Sequence, residues 1–325
     1  MMRAVILDAD TVTDSDVSLD KISSVLPTVI YGFSADDEIA DRISDADVVL
    51  TNKCRITKEI FERCPNIKYI GLFATGYNNI DIKEAKARGC VVSNVPGYST
   101  NAVAQHTFAL ILNRYSGVAA YDQTVKNGDW CYSKLFSYFN IPFFELAGKT
   151  IGIVGYGAIG KAVKRIAEAF NMNILVHTRS YPKDDSGIKV VSLEELLKES
   201  DIVSLHCAVT DETRNMVDED FLARMKPTAY LINTARGDLV DNDALARALT
   251  EGRIAGAGLD TLAPEPVPAG HPLTVLPPEV QDRVALAPHL GGITEAAFRR
   301  AHAHMWRNAE RLAAGERPDC GGNGL

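Results

Sequence analysis

Short apolar runs alternate with amphipathic segments along most of the chain. Five runs in the first hundred residues predict buried strands, at 4–7, 28–31, 48–50, 69–73 and 91–94. Segments with apolar residues at i, i+3 and i+4 lie between them and predict helices at 37–44, 57–64 and 82–88. Strands that alternate with helices indicate a parallel sheet covered by helices on both faces.

The same alternation resumes after residue 150. Further strands are predicted at 150–154, 173–177, 202–205, 230–233, 255–259 and 284–287, and further helices at 102–112, 161–170, 193–200, 243–251 and 295–314. The pattern breaks at residues 96–100, which we interpret as the first crossing between domains. The predicted fold class is therefore α/β with two doubly wound parallel-sheet domains. Residues 1–99 with 290–325 form one domain, and residues 100–289 are inserted as the other.

One glycine-rich turn points to a ligand. The apolar run 150–154 is followed by Gly155, Gly157 and Gly160 in G-x-G-x-x-G spacing and then by a helical pattern. Such a strand, turn and helix can place a dinucleotide pyrophosphate on the helix N-terminus, with Ala158 and Ile159 between the glycines. We predict a dinucleotide-binding domain on this basis.

The next strand bears on which dinucleotide binds. An NAD site usually has Asp or Glu at the end of that strand to contact the ribose hydroxyls. Here the strand ends in Thr178, Arg179 and Ser180, whose guanidinium and hydroxyl suit a 2′-phosphate. The sequence therefore favours NADP(H), and NAD(H) stays open.

Three ionisable side chains follow successive predicted strands. Arg236 comes after 230–233, Glu265 after 255–259 and His289 after 284–287. Ligands of open α/β sheets bind at these carboxyl ends, where an Arg can grip a carboxylate and a His can deliver a proton. A neighbouring carboxylate stabilises an imidazolium. We predict reduction of a ketone by hydride transfer, with these three as the catalytic residues.

Composition narrows the partners. A net charge of −8 argues against a nucleic-acid or membrane-surface partner, and no apolar run approaches the roughly 18 residues of a membrane span. The early acidic residues do not fit a signal peptide, and the six cysteines are scattered without a CxxC. We expect reduced thiols in the cytoplasm. No spacing suggests a metal site, and His106 is expected to pack within its helix.

An aromatic-rich stretch stands apart from this pattern. Residues 127–147 contain two Tyr, one Trp and four Phe. Two interpretations remain open, a loop packed on its own domain and an interface or cleft mouth.

The motifs together resemble the D-2-hydroxyacid dehydrogenases over nearly the whole chain. The resemblance is carried by segments 74–81, 94–105, 155–160, 206–213, 232–240, 258–266 and 288–289. Segments 94–100 and 145–149 are most similar to glycerate dehydrogenases, also called hydroxypyruvate or glyoxylate reductases. The resemblance implies a flavodoxin-like substrate domain with an inserted Rossmann domain, a cytoplasmic homodimer, and a small anionic 2-oxo or 2-hydroxy acid as substrate.

It also implies roles for residues. Arg236 would bind substrate, Glu265 would be the partner carboxylate, and His289 would bind substrate and donate the proton. Further substrate contacts would be Thr75, Gly76 and Tyr77, and cofactor contacts would include His206, Cys207, Thr213, Thr234, Ala235 and Asp260.

Three departures from the family pattern leave alternatives. Thr178 replaces the usual acid, Ala208 and Val209 replace a common Pro-Leu pair, and segment 290–294 lacks the Ala-Trp frequent in glycerate dehydrogenases. A larger 2-oxo acid is therefore an alternative substrate. A dinucleotide-sensing module without turnover is the non-enzymatic alternative.

Overall fold

The computed structural model describes residues 2–13, 17–179 and 188–320. Contacts divide the chain into two compact units, one made of Met1–Ser99 with Ile293–Leu325 and the other of Thr100–Gly292. We call them unit 1 and unit 2. The second boundary follows Gly292 rather than residue 289 because the amides of Leu290 and Gly291 bond within unit 2, to Asp260.

The described residues form twelve strands: β1 Ala4–Ile6, β2 Thr28–Ile30, β3 Val48–Thr51, β4 Tyr69–Leu72, β5 Val91–Ser93, β6 Thr150–Val154, β7 Asn173–His177, β8 Lys189–Val190, β9 Ile202–Leu205, β10 Tyr230–Asn233, β11 Gly256–Leu259 and β12 Val284–Leu286. The α-helices in those residues are α1 Asp20–Ser23, α2 Ile39–Arg42, α3 Lys58–Arg63, α4 Ile82–Ala87, α5 Thr100–Ser116, α6 Val118–Lys126, α7 Ala158–Ala169, α8 Leu193–Glu199, α9 Glu219–Arg224, α10 Asn242–Thr250, α11 Pro278–Gln281 and α12 Glu295–Ala313.

Unit 1 contains a parallel sheet in the order β2-β1-β3-β4-β5. This is the flavodoxin-like order, with its switch point between β1 and β3. Most of the strands are short runs of buried apolar residues, as expected of a sheet covered on both faces. One face packs on α2, α3 and α4, and the other packs on α1 and α12.

Helix α12 returns the chain to unit 1. Thr294 caps its N-terminus, where the hydroxyl accepts a hydrogen bond from the amide of Ala297 at 3.3 Å. Ala301 and Met305 are buried in the same apolar cluster as Ile6 and Leu50 of the sheet. The sequence prediction that residues after about 290 complete the first domain therefore has a physical basis in this packing.

Unit 2 contains a parallel sheet in the order β12-β11-β10-β9-β6-β7-β8. Counted from β6, this is the Rossmann order 3-2-1-4-5-6 with one additional strand beside β11. The order reverses between β6 and β9, and the glycine turn leaves the sheet at that point. Both sheets confirm the predicted fold class.

Several short elements were not predicted. Helix α6 buries no side chain, although Val118, Tyr121 and Val125 share one face of it. Helix α9 spans only six residues and depends on the carboxylate of Asp218, which accepts from the amide of Phe221 at 2.8 Å. Strand β8 consists of two residues at the sheet edge.

The aromatic stretch between α6 and β6 is exposed. The exposed fraction is 46% for Trp130, 89% for Tyr132, 95% for Phe136, 70% for Phe139 and 65% for Phe143. A loop packed on its own domain would bury these rings, so that interpretation is wrong for most of the stretch. Phe144 at its end does contact Tyr115, with ring centroids 6.1 Å apart.

Candidate active site

The glycine turn after β6 is shaped by three different constraints. Gly155 has φ +95°, and a Cβ there would lie 2.6 Å from the backbone nitrogen of Cys207. A Cβ on Gly160 would lie 2.4 Å from the carbonyl oxygen of Gly155, so this glycine allows α7 to approach the turn. A Cβ on Gly157 would meet no atom of the described residues within 4 Å. Gly157 thus borders open space at the start of α7.

That open space fits an anionic ligand. Gly157 is the N-cap of α7 and gives no side-chain cap to the first amides, and Ala158, Ile159 and Gly160 form the first turn. Uncapped amides at a helix N-terminus attract a phosphate through hydrogen bonds and through the helix dipole. The residues therefore fit the pyrophosphate of a dinucleotide.

The loop after β9 borders this turn. The amide of His206 donates to the carbonyl of Val154 at 2.7 Å. Burial lowers the pKa of His206 to about 4, so its ring is neutral at pH 7. The ring Nε2 lies 2.8 Å from the hydroxyl of Ser204. Thr213 closes the loop, because its hydroxyl donates to the carbonyl of Ala208 at 2.7 Å and accepts from the amide of Thr210 at 2.7 Å.

The end of β7 carries the residues expected to choose the cofactor. Thr178 and Arg179 directly follow the strand, and Arg179 is exposed. Burial raises the pKa of the Cys207 thiol, and the charge of Arg179 acts in the opposite direction. Ser180 lies outside the described residues.

Arg236 is held at the carboxyl end of β10. The amide nitrogen of the Asn233 side chain donates to the Arg236 carbonyl at 2.8 Å, and its Oδ1 accepts from the amide of Ala235 at 3.0 Å. Thr234 is buried, and its hydroxyl lies 3.0 Å from that of Thr107 on α5. The strand end is therefore a rigid support, and the Arg236 side chain remains partly exposed.

His289 and Glu265 form a direct pair. His289 Nδ1 lies 2.7 Å from Oε2 of Glu265, and both side chains are about one-third exposed. The other Glu265 oxygen, Oε1, accepts from the amide of Leu262 at 3.0 Å. This carboxylate orients the imidazole and leaves Nε2 as the nitrogen for a substrate. The sequence predicted both residues, and the structure brings them together across two loops.

Asp260 lies beneath this pair. It is 2% exposed, and its carboxylate oxygens accept from the amides of Leu290 at 2.6 Å and Gly291 at 2.9 Å. The carboxylate thus holds the loop that carries His289. The sequence prediction gave Asp260 a cofactor contact and did not foresee this bonding.

The predicted substrate loop belongs to unit 1. Thr75, Gly76 and Tyr77 follow β4, and the side chain of Asn94 donates to the Thr75 carbonyl at 2.6 Å. The Thr75 hydroxyl donates to the carbonyl of Val95 at 3.1 Å. Tyr77 is 39% exposed. These bonds tie the loop to the chain that follows β5.

The sequence analysis did not single out Asp8, a buried carboxylate in unit 1. Asp8 is 3% exposed and accepts from the backbone amides of Asn52 at 2.9 Å and Lys53 at 2.6 Å, after β3. An acid directly after an apolar strand was the available signal. Asp8 fixes the loop at the β1/β3 switch point.

The described residues contain neither a metal-binding cluster nor a helix that could cross a membrane. The described residues bring no three His, Cys, Asp or Glu side chains together in a way that could hold a metal ion. None of the helices in the described ranges combines the length and apolar content needed to cross a bilayer.

A Rossmann sheet with an open phosphate cradle, together with a His–Glu pair and an Arg at adjacent strand ends, defines a dehydrogenase that uses a nicotinamide dinucleotide. Residues 108–291 match the family model described as D-isomer specific 2-hydroxyacid dehydrogenase, NAD binding domain. The chain belongs to the D-2-hydroxyacid dehydrogenase family.

Relatives of known name agree with this assignment. The hydroxypyruvate reductase of Blautia hydrogenotrophica is 36% identical over 277 residues, covering 84% of this chain and 86% of the relative. The glyoxylate reductase of Pyrococcus furiosus is 41% identical over 288 residues, covering 87% and 84%. The crystal structure of Aquifex aeolicus D-lactate dehydrogenase with NAD and lactic acid superposes with a TM-score of 0.85 at 30% identity, covering 97% and 96%.

Proposed function

We propose that this protein reduces a small 2-oxo acid, hydroxypyruvate or glyoxylate, to D-glycerate or glycolate, with NADPH or NADH as reductant. The observation that carries the proposal is the 2.7 Å contact between His289 Nδ1 and Glu265 Oε2 in the unit that contains the phosphate cradle. The names of the relatives from Blautia and Pyrococcus support this substrate class.

The residues divide the chemistry as follows. A bound nicotinamide supplies the hydride. His289 holds a proton on Nε2 and gives it to the substrate carbonyl oxygen, while Glu265 stabilises the imidazolium from the Nδ1 side. Arg236 binds the substrate carboxylate and polarises the adjacent carbonyl. In the reverse direction, Nε2 of a neutral His289 accepts the proton.

The two units take separate tasks in this proposal. The turn at Gly155, Gly157 and Gly160 holds the pyrophosphate, and the loops at 206–213 and 234–236 border the nicotinamide end. In unit 1, the backbone amides of loop 75–77 bind the substrate carboxylate, as the family resemblance implies. On this proposal unit 1 is the substrate domain, and unit 2 is the cofactor domain that also carries Arg236, Glu265 and His289.

A spectrophotometric screen of 2-oxo acids tests the proposal. We expect hydroxypyruvate or glyoxylate to give the highest kcat/KM among acids of increasing side-chain size. A preference for branched or aromatic 2-oxo acids would assign the larger substrate. Cofactor binding without turnover of any 2-oxo acid would assign a sensing module and contradict the proposal.

The variant His289→Ala isolates the mechanism. We expect it to abolish reduction and to leave the cofactor dissociation constant within about twofold, because the imidazole delivers a proton rather than binding the pyrophosphate. Turnover at the wild-type rate in this variant would contradict the mechanism.

We further propose a preference for NADPH. Arg179 is exposed at the end of β7, where Thr178 stands in place of an acid. An Arg179→Gln variant should lose about tenfold or more in kcat/KM with NADPH and little with NADH. Arg214→Gln is the matched control, since Arg214 is also exposed but pairs with Asp238. Equal losses with both cofactors would contradict this preference.

A homodimer is proposed from the exposed aromatic stretch. Rings exposed by 89% at Tyr132 and 95% at Phe136 are costly in water and typical of interfaces. Light scattering should report a dimer, and the double variant Tyr132→Ser with Phe136→Ser should weaken it. Val118→Ser, at a residue that is 71% exposed outside the stretch, is the control. A monomeric wild type would contradict the dimer.

We also propose that the enzyme is cytoplasmic. All six cysteines are free thiols, and Cys54, Cys64 and Cys90 are buried. Free thiols persist in a reducing compartment.

A further inference from the structure

The loop that carries His289 is fixed by three backbone bonds to one residue. The amide of His289 donates to the Asp260 carbonyl at 2.8 Å. The amides of Leu290 and Gly291 donate to the two carboxylate oxygens of Asp260 at 2.6 and 2.9 Å. His289 itself has φ +58°, in the left-handed region that a non-glycine residue rarely adopts. Asp260 is therefore the group that sets the backbone from which the imidazole extends.

Asp260 is buried and needs a partner for its charge. Burial acts to raise the pKa of Asp260, but the contact with His106 and the amides of Gly291 and Leu290 outweigh it, so the pKa lies below the ordinary value. The carboxylate is therefore ionised at neutral pH.

His106 supplies the partner from helix α5. Its Nε2 lies 3.1 Å from Oδ1 of Asp260. This nitrogen is buried and has no well-aligned hydrogen bond among the described residues, so the Asp260 carboxylate is the polar group that it faces. Removal of the imidazole would leave the anionic oxygen without its side-chain partner.

Helix α5 is held next to the end of β10, which leads to Arg236. Thr107, the next residue, accepts or donates at 3.0 Å with the hydroxyl of Thr234 after β10. The Thr107 hydroxyl also lies 2.9 Å from the carbonyl of Val103 within the helix. His106 and Thr107 thus contact two neighbouring strand ends, one leading to Arg236 and the other to Glu265. The helix offers a fixed point from which to hold Asp260.

We propose that His106 is a positioning residue for the proposed reduction: by holding the Asp260 carboxylate it fixes the 289–291 backbone and keeps His289 aligned with Glu265. The inference rests on the proposed function only in assigning the proton transfer to His289. It predicts that removal of the His106 imidazole lowers kcat and loosens the 289–291 backbone.

Two substitutions at this position separate the roles. His106→Leu keeps much of the volume and removes the polar contact, whereas His106→Gln offers an amide nitrogen at a similar distance from the backbone. Gln105→Leu is the control, because Gln105 is the exposed neighbour on the same helix. For each variant we would measure kcat, KM, the cofactor dissociation constant and amide hydrogen exchange of the 287–293 peptide.

We expect His106→Leu to lower kcat about tenfold and to change KM for the 2-oxo acid less than about twofold. Its 289–291 amides should exchange about tenfold faster, since all three donate to Asp260. His106→Gln should recover most of both effects, and Gln105→Leu should match the wild type. Unchanged kcat and exchange in His106→Leu, or equal losses in the Leu and Gln variants, would overturn the proposal.

A second variant, Gly291→Ala, disturbs the same contact between Asp260 and the 289–291 loop. It can be used if His106→Leu does not fold. A Cβ on Gly291 would lie 2.8 Å from Oδ2 of Asp260, so Gly291→Ala should displace the loop. It should reproduce the loss in kcat, and a loss confined to cofactor affinity would overturn the proposal. A wild-type protein without reductase activity would refute the proposed function instead, while the exchange data would still test the loop.

Discussion

Gly157 provides the sharpest test of the phosphate cradle. Substitution by Ala adds one methyl group where the structure has nothing within 4 Å. The backbone at Gly157 has φ −80° and ψ −161°, an extended conformation that alanine adopts without strain. The methyl group should therefore be accepted by the protein and should occupy space that the pyrophosphate needs.

The magnitudes follow from these contacts. Loss of Gly at an N-cap costs about 0.5–1 kcal/mol, and the smaller entropy of the unfolded alanine chain returns about 0.4–1 kcal/mol. The free energy of unfolding should therefore change little, with Tm within about 2 °C of the wild type. Loss of one charge-assisted bond to phosphate costs about 1.5–3 kcal/mol, which weakens Kd roughly 10- to 150-fold.

Gly160→Ala is the contrasting variant. Its Cβ would lie 2.4 Å from the Gly155 carbonyl oxygen, so α7 must move, at a cost of about 1–3 kcal/mol in stability. Fluorescence titration with NADPH and NADH measures cofactor affinity, and thermal unfolding measures stability. A Gly157→Ala protein that binds both cofactors as tightly as wild type, or that unfolds as early as Gly160→Ala, would refute the cradle.

Three further predictions concern the carboxylates of Glu265 and Asp8 and the imidazole of His206. Glu265→Gln should lower kcat on the order of a hundredfold, measured by steady-state reduction, because an amide no longer stabilises the imidazolium of His289; an unchanged kcat would contradict this. His206 has a folded pKa of about 4 against an ordinary 6.5, so the unfolded chain binds the proton first as pH falls, and stability is lost from about pH 6.5 downward. Urea unfolding should show this loss as roughly 2–3 kcal/mol at pH 4.5, absent in His206→Gln; equal pH dependence in both proteins would contradict it. Asp8→Asn should destabilise unit 1 by about 1–3 kcal/mol in the same assay, because buried amides lose a charged acceptor; an unchanged midpoint would contradict it.

The regular framework was predictable because burial leaves a pattern in the sequence. Strands β7, β9 and β10 coincide with the predicted residues, since each is an apolar run buried on both faces. Helix α6 was not predicted, and nothing in it is buried, so the packing that fixes most helices is missing there. Helix α5 extends beyond the predicted residues 102–112, since its termini lack a clear apolar stripe.

The candidate site was predictable one residue at a time but not as an arrangement. His289 and Glu265 were recognisable because each follows a strand, yet their separation of 24 residues carries no signal of a 2.7 Å contact. The bonds of Asp260 to backbone amides leave no trace in composition, since any residue can supply an amide. His106 looked like an ordinary helix residue, because its partner lies far along the chain.

Unit 1 is formed by two segments that are far apart in the sequence, and this affects how it can fold during synthesis. One face of its sheet, including Ile6 and Leu50, is covered by α12, whose residues are made after those of unit 2. About 200 residues separate the end of β5 from the start of α12. At about 5–20 residues per second, the completed strands therefore remain without α12 for roughly 10–40 s. Unit 2 is continuous in sequence and can complete its sheet in the meantime. The nascent chain therefore presents an apolar surface that chaperones can bind, and unit 1 is expected to be the last part to become native.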